Sequence, residues 1–250
     1  MDGILYGIGT GPGDPELMTI KAVKMMNACD VIVLPISNQA LLSEPVYYEG
    51  LTEKAKQFNV DCIAYQIAKS NITRPEKKGF LYLPMPMIKD SEILKRIHNQ
   101  GFEAVMKLLR AGNKLAFLTL GDPTIYSTYL YIHNRVIKKN GKAKIINGIP
   151  SFCATAARLD IGLVENSEQL HIIPASYGVK EALELEGTKV FMKAGKQMQL
   201  VKDEVKKSDK AFWMVENCGM EKEKVYDNIE DLSEEAGYYS LIIVKEKNRW

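Results

Sequence analysis

What this chain lacks sets the first limits on it. No apolar run approaches the roughly 20 residues that a membrane-spanning helix needs, so no membrane partner is expected. Asp2 and Gly3 lead straight into an apolar run, which predicts no secretory leader. Cysteine is sparse: Cys29, Cys62, Cys153 and Cys218 are widely spaced and form no CxxC pair. That usage predicts a reducing, cytoplasmic setting, with the thiols packed as small apolar groups. The three histidines, His98, His133 and His171, have no metal-ligand spacing, so no protein-bound metal is expected. A strong charge bias is missing too. The formal net charge of +2 is too small to imply nucleic acid. The basic run Arg135, Lys138, Lys139, Lys142 and Lys144 reads as a solvated helix end.

What remains is ordinary for a globular protein. Apolar residues make up 46% and charged residues 26% of 250 residues, enough for one large or two small domains with real cores. Two segments stand out. "YGIGTGPGDPELMT" (6–19) follows the first apolar run, and "LAFLTLGDPTIYST" (115–128) follows another. Each places Gly-Asp-Pro at the end of a buried-looking strand. Open α/β sheets bind ligands at the carboxyl ends of their strands, so two such loops predict one site built from both.

The first loop contains decoys. Gly7-x-Gly9 starts a dinucleotide fingerprint, but Pro12 stands where that pattern needs a small residue, and proline has no N–H for a phosphate. Asp30 precedes the second apolar run, where the ribose-binding acid should end it. Leu5 occupies the acidic position of the ordinary methyltransferase pattern. No Gly-Lys-Ser/Thr follows, which excludes a P-loop.

Strands alternate with helices in the first half. Ile4–Ile8, Val31–Pro35, "VDCIAYQI" near Val60, "KLAFLTL" and "AKIING" read as strands. Thr19 caps one helix, and a second carries Ile93, Ile97, Ala104, Val105 and Leu108 to its end at Gly112. The stretch from Ile36 to Pro86 lacks a clean period. Its "RPEKKGFLYLPMPM" reads as loop, either a mobile surface loop or a lid over a ligand. In the second half "QLHIIPA", "KVFMKAG", "AFWMVENCG" and "SLIIVKEK" read as closely spaced strands, with "KQMQLVKDEVKKS" helical. The fold class is α/β with a mainly parallel first sheet. The domain boundary falls at Pro150/Ser151, giving lobes 1–150 and 151–250.

"GIGTGPGDPELMTIKA" together with "GDPTIYST" resembles the tetrapyrrole (corrin/porphyrin) methylase family, and "NGIPSFCATAARL" (147–159) is similar to its third segment. The family usually has Pro-Gly-x-x-Ser there, where this chain has Gly148-Ile149-Pro150-Ser151. Within the family, "GDPTIYSTYLYI", "SFCATAARL" and "VENCGMEKEKVY" look like the branch that methylates C20 of precorrin-2 or cobalt-factor II. The resemblance implies two α/β lobes with the cofactor, S-adenosylmethionine, between them, a homodimer, and a role in cobalamin biosynthesis. It also assigns cofactor residues. Pro12 would shape the first loop. Gly121, Asp122, Ile125, Tyr126, Ser127 and Thr128 would come from the second. Ser151 and Phe152 would come from the third, and Met192, Asn217, Cys218, Ser240 and Leu241 from the second lobe.

Methyl transfer from a sulfonium needs no protein nucleophile, and positioning supplies much of the acceleration. A base for the methylated carbon is not named by the sequence; Glu216, Tyr126 and substrate carboxylates are candidates. A flat macrocycle with acidic arms would call for an apolar trough with basic anchors, for which Arg74, Lys89, Arg158 and Lys193 are candidates. Any cobalt would enter inside the substrate. Other readings are a methylase acting at another ring carbon, a relative that modifies protein or ribosomal RNA, and a non-enzymatic tetrapyrrole carrier.

Overall fold

The first apolar run forms strand β1 (Ile4–Gly9) in the computed structural model. The model describes residues 3–38, 40–174, 178–193, 198–208, 210–232, 237 and 239–247. The backbone divides into two units, 1–150 and 151–250.

In the first unit, Thr19 caps α1 (Ile20–Asn27). Its Oγ1 accepts the Ala22 N–H at 3.1 Å, and Ala22 and Met26 face inward. Then come β2 (Val31–Ile36), β3 (Val46–Glu49), α2 (Glu53–Asn59), α3 (Ile63–Ala68) and β4 (Gly79–Pro84). Asp90 caps the long α4 (Ser91–Arg110), accepting the N–H groups of Glu92 and Ile93. β5 (Lys114–Thr119), α5 (Tyr129–Lys138) and β6 (Lys142–Ile146) complete the unit.

The sheet order is β3-β4-β2-β5-β1-β6. Five strands are parallel, and edge strand β3 runs antiparallel to β4. Leu5, Val33, Leu83, Leu115 and Phe117 pack against Phe102, Val105 and Leu109 of α4 and Tyr129, Ile132 and Val136 of α5. β2, β4 and β5 are buried along nearly their whole length, which is why they read as continuous apolar runs without alternation.

Two expectations fail between Ile36 and Pro86. "VDCIAYQI" is helical: it supplies the end of the α2 turn and then α3, which buries Ala64, Tyr65, Ile67 and Ala68. The place beside β2 is taken by β4, from the stretch that reads as loop. All six residues of β4 are buried, and they pair with β2 from Val31↔Gly79 to Ile36↔Pro84. The flanking prolines suggest a loop, but Pro84 ends its strand. Pro35 lies beyond Val33↔Phe117, the last pair between β2 and β5, so both prolines occupy tolerated positions.

The second unit carries α6 (Ser151–Arg158), β7 (Leu170–Pro174), α7 (Val179–Leu183), β8 (Thr188–Met192) and α8 (Met198–Lys207). β9 (Lys210–Glu216), β10 (Lys224–Tyr226) and β11 (Ser240–Glu246) follow. Its sheet order is β10-β9-β11-β8-β7, parallel only between β7 and β8. The short β10 has no counterpart in the sequence reading. Phe191, Met214 and Ile242 pack against Leu183, Val201 and Val205. Ala175 of the first strand string, Ala194 and Gly195 of the second, and Lys196 and Gln197 of the helical string lie outside the described residues.

No helix among the described residues is long and apolar enough to cross a membrane. Cys29 and Cys62 are buried, and desolvation pushes each thiol up to about 12. Cys153 departs from the expectation of buried thiols, because it lies on the exposed side of α6.

Candidate active site

β1 lies between β5 and β6, and all three are parallel. The chain therefore leaves all three strands at one edge of the sheet. The segments after Gly9, after Thr119 and after Ile146 are the three singled out in the sequence. They meet through their backbones. Gly11 and Gly121 form an isolated antiparallel bridge, with Gly121 N–H donating to Gly11 O at 2.8 Å and Gly11 N–H to Gly121 O at 3.3 Å. Thr10 is fully buried and donates from both N–H and Oγ1 to Thr119 O, at 2.9 and 3.1 Å.

The close crossing explains two glycines. A Cβ at Gly9 would lie 2.5 Å from Gly148 N and 2.7 Å from Gly121 O. At Gly148 it would lie 2.2 Å from Gly121 O. These neighbours are backbone atoms and cannot swing aside. Gly7, the first glycine of the decoy pattern, has another task. A Cβ there would sit 2.2 Å from the ring of buried Tyr129.

Asp122 pins the second loop to the third. Its Oδ1 accepts Thr124 N–H at 2.8 Å and Thr124 Oγ1 at 2.5 Å. Its Oδ2 accepts Asn147 Nδ2 at 3.1 Å and Gly148 N–H at 3.0 Å. Burial alone would raise its pKa. The bonds from Thr124, Asn147 and Gly148 outweigh burial and hold the carboxyl below the usual carboxylate range. Thr19 Oγ1 ties the start of α1 to Asn147 O at 3.2 Å. Ser127 Oγ meets Thr119 Oγ1 at 2.8 Å and accepts Tyr129 N–H at 3.2 Å, which fixes the turn into α5. Pro12 is buried, Ile125 is half-buried and Thr128 is exposed. Tyr126 holds a left-handed backbone (φ 48°) and is also exposed. Thr10, Asn147 and Gly148 were not among the residues picked from sequence. The Asn-Gly dipeptide after an apolar run is the signal that marks the last two.

In the second unit, strand register collects the remaining candidates. Ser240 pairs with Glu216, and Leu241 pairs with Val215 on one side and Met192 on the other. Met192, Asn217, Cys218, Ser240 and Leu241 thus occupy one end of the β8, β11 and β9 strands. α6 packs on β11, carrying half-buried Ser151 and buried Phe152 at its start. Glu216 is buried and committed: Oε1 accepts Gly237 N–H at 2.5 Å, and Oε2 accepts Tyr226 OH at 3.3 Å. Ser240 Oγ donates to Gly237 O at 2.6 Å.

The basic anchor candidates separate by topology. Lys89 follows β4, on the carboxyl edge of the first sheet. Arg74 precedes β4, and nearby Lys78 Nζ donates to Asn27 O and Cys29 O ahead of β2, so Arg74 belongs to the opposite edge. Arg158 is engaged with Glu223. Lys193 follows β8 with φ 59°. Among the described residues, no group of three or more His, Cys, Asp or Glu could hold a metal ion.

The profile of the tetrapyrrole (corrin/porphyrin) methylases matches residues 4–233. The chain belongs to this family. A Methanocaldococcus jannaschii protein named as a probable cobalt-precorrin-2 C(20)-methyltransferase is 31% identical over 98% of this chain and 97% of its own. The precorrin-2 C(20)-methyltransferase of Sinorhizobium sp. is 29% identical over 97% and 95%. Among solved structures, a cobalt precorrin-4 methyltransferase superposes with a TM-score of 0.67 at 16% identity, covering 97% of this chain and 94% of that one. The Thermus thermophilus uroporphyrin-III C-methyltransferase, complexed with S-adenosyl homocysteine, gives 0.64 at 18% identity over 98% of each chain.

The methylase cofactor is S-adenosylmethionine. The residues present fit it. Gly9, Gly11, Gly121 and Gly148 leave backbone, not side chains, at the crossing, and its polar side chains are already bonded: Thr10 to Thr119 O, and Asp122 to Thr124, Asn147 and Gly148. The loops are shaped in advance, and the buried Asp122 carboxylate at their crossing is fully paired. In the second unit, the fully buried Thr155 Oγ1 has no hydrogen-bond partner among the described residues, the kind of group that a polar ligand edge satisfies.

Proposed function

We propose that this chain is an S-adenosylmethionine-dependent C-methyltransferase of cobalamin biosynthesis, acting on C20 of precorrin-2 or of cobalt-factor II (cobalt-precorrin-2). The observation that carries the reading is the near full-length similarity to two relatives named for that reaction. The joining of the three family-like segments at one sheet edge supports it.

Bound S-adenosylmethionine supplies a methyl group already activated on a sulfonium. The protein's task is to hold donor and ring carbon in line and to exclude water. In the first unit we assign to the cofactor Gly121, Ile125, Tyr126, Ser127 and Thr128, with Pro12 supporting the loop and Asp122 holding its shape. In the second we assign Ser151, Phe152, Met192, Asn217, Cys218, Ser240 and Leu241. Lys89 is the anchor we favour for a substrate carboxylate, because it leaves the carboxyl edge and is exposed. Cobalt, where present, arrives within the substrate.

We further propose a cytoplasmic homodimer that needs neither membrane nor nucleic acid. Light scattering at micromolar protein should give about twice the 28.1 kDa chain mass; a monomer mass overturns the dimer. The activity is tested with labelled S-adenosylmethionine and metal-free or cobalt-loaded dimethylated tetrapyrrole. A product one methyl heavier, with carbon NMR placing that methyl at C20, is expected. A methyl at another ring carbon sinks the C20 assignment. Tetrapyrrole binding with no binding of S-adenosylmethionine would favour a carrier.

A further inference from the structure

The two strings of the second unit that carry the branch resemblance are fastened to each other. Arg158 closes α6, and Glu223 lies in the segment that follows β9, 65 residues later. Glu223 Oε1 accepts Arg158 Nε, and Oε2 accepts Gly219 N–H at 2.7 Å. One turn earlier on the same face of α6, the buried Thr155 hydroxyl lies beside the Cys218 thiol without the geometry of a formed hydrogen bond.

The turn between these anchors is unusual. Asn217 (φ 53°) and Gly219 (φ 73°) both adopt left-handed backbone on either side of Cys218. Asn217 N–H donates to Tyr239 O at 3.1 Å, and its Nδ2 donates to Lys222 O at 3.3 Å. Left-handed backbone is uncommon outside glycine, asparagine being among the residues that tolerate it best, and here it is tied down on both sides. The Glu223 carboxylate fixes the far side of this turn, and Arg158 holds the carboxylate. Arg158 is half exposed, and ion pairs this open add little to global stability. The effect of the pair therefore falls on the shape of the turn.

We infer that Glu223, held by Arg158, is a positioning residue that sets the Asn217–Gly219 backbone for S-adenosylmethionine. This rests on the assignment of Asn217 and Cys218 to the cofactor. The test compares wild type with Glu223→Ala, Glu223→Gln, Arg158→Ala and Arg158→Lys. Calorimetric titration with S-adenosylmethionine and with S-adenosylhomocysteine is read beside melting and steady-state kinetics.

Glu223→Ala should weaken binding of both ligands about tenfold. The KM for S-adenosylmethionine should rise in step, while the KM for tetrapyrrole and kcat at saturation stay within about twofold. Arg158→Ala should lose part of the affinity, and Arg158→Lys should restore most of it, since an ammonium still pairs with the carboxylate. A folded Glu223→Ala protein with wild-type affinity overturns the inference and leaves the proposed function standing. If Glu223→Ala does not fold, Glu223→Gln decides, because it keeps an acceptor for Gly219 N–H but loses the charge: weaker binding supports the clamp, wild-type binding overturns it. A wild-type protein that binds neither ligand removes the proposed function, and the inference with it.

Discussion

Asp122 accepts the backbone N–H of Gly148 at 3.0 Å and so joins the loop after β5 to the loop after β6 across the end of β1. With Asn147 and Thr124 it gives this carboxylate four donors. Asp122→Asn must turn an amide nitrogen toward some of them. At least one of these donors then loses its acceptor, at a cost of about 1 kcal/mol for the part-buried bonds and up to about 3 kcal/mol for the buried Gly148 N–H. The pH dependence follows from the direction of the shift. The folded pKa is depressed below 3.8, so the stabilisation is complete above that value and disappears as pH falls through the lower folded value. Urea unfolding of wild type and variant should show a gap at neutral pH that narrows in strong acid. A gap independent of pH would mean the carboxylate charge is irrelevant.

Gly121 joins the first two loops through its backbone. Its φ is 68°, and its N–H and C=O both bond to Gly11. Gly121→Val places a branched side chain on a left-handed backbone, a strain of about 1–3 kcal/mol. We expect a lower melting temperature and a cofactor affinity reduced tenfold or more, about 1.4 kcal/mol or above. Gly121→Ala should show the same order of effects at smaller size. Calorimetry and melting on one preparation measure both. Unchanged affinity in a folded variant would detach this loop from the cofactor.

The two Gly-Asp-Pro loops were legible because each ends an apolar run with residues that favour a turn. The identity of their partners was not. Asp122 meets Asn147 only because β5 and β6 flank β1, an order that no local pattern encodes. β4 was hidden because Pro75, Pro84 and Pro86 punctuate its surroundings, while its burial depends on β2. "VDCIAYQI" misled for the opposite reason. Its apolar residues nearly fill the run, so neither the strand nor the helix period is distinctive. The second-unit candidates converge through the register Ser240↔Glu216 and Leu241↔Met192. The sequence shows those strands but not their pairing. The Arg158–Glu223 clamp joins residues too distant for any spacing rule.

Tyr129 OH donates to Lys144 O at 2.9 Å, so its one proton is spent, and its contact with His133 Nδ1 at 2.9 Å makes the histidine the donor. His133 is therefore expected in the Nδ1–H tautomer, which nitrogen-15 shifts of the ring report directly. Burial lowers its pKa below 6.5. Stability from this group is complete above that value and declines as pH falls toward the folded pKa. Tyr129→Phe should cost about 1 kcal/mol and return the ring to a tautomer mixture. A ring already in the Nε2–H form in wild type would refute the arrangement.

Glu216 is the buried carboxylate among the candidates for the base that takes a proton from the methylated carbon. Its two oxygens already accept from Gly237 N–H and Tyr226 OH, and Gly237 O in turn receives Ser240 Oγ. Such a group holds the start of β11 in place and is poorly disposed to take a proton from a ligand. Glu216→Gln keeps one acceptor oxygen and nearly the same volume. Single-turnover methyl transfer with saturating cofactor should stay within about tenfold of wild type, whereas loss of a true general base costs roughly 10²–10⁴. The same variant should bind S-adenosylmethionine more weakly, because Ser240 and Leu241 are no longer held by the full carboxylate. A loss of a hundredfold or more in the chemical step, with cofactor affinity unchanged, would reverse this assignment and make Glu216 the base.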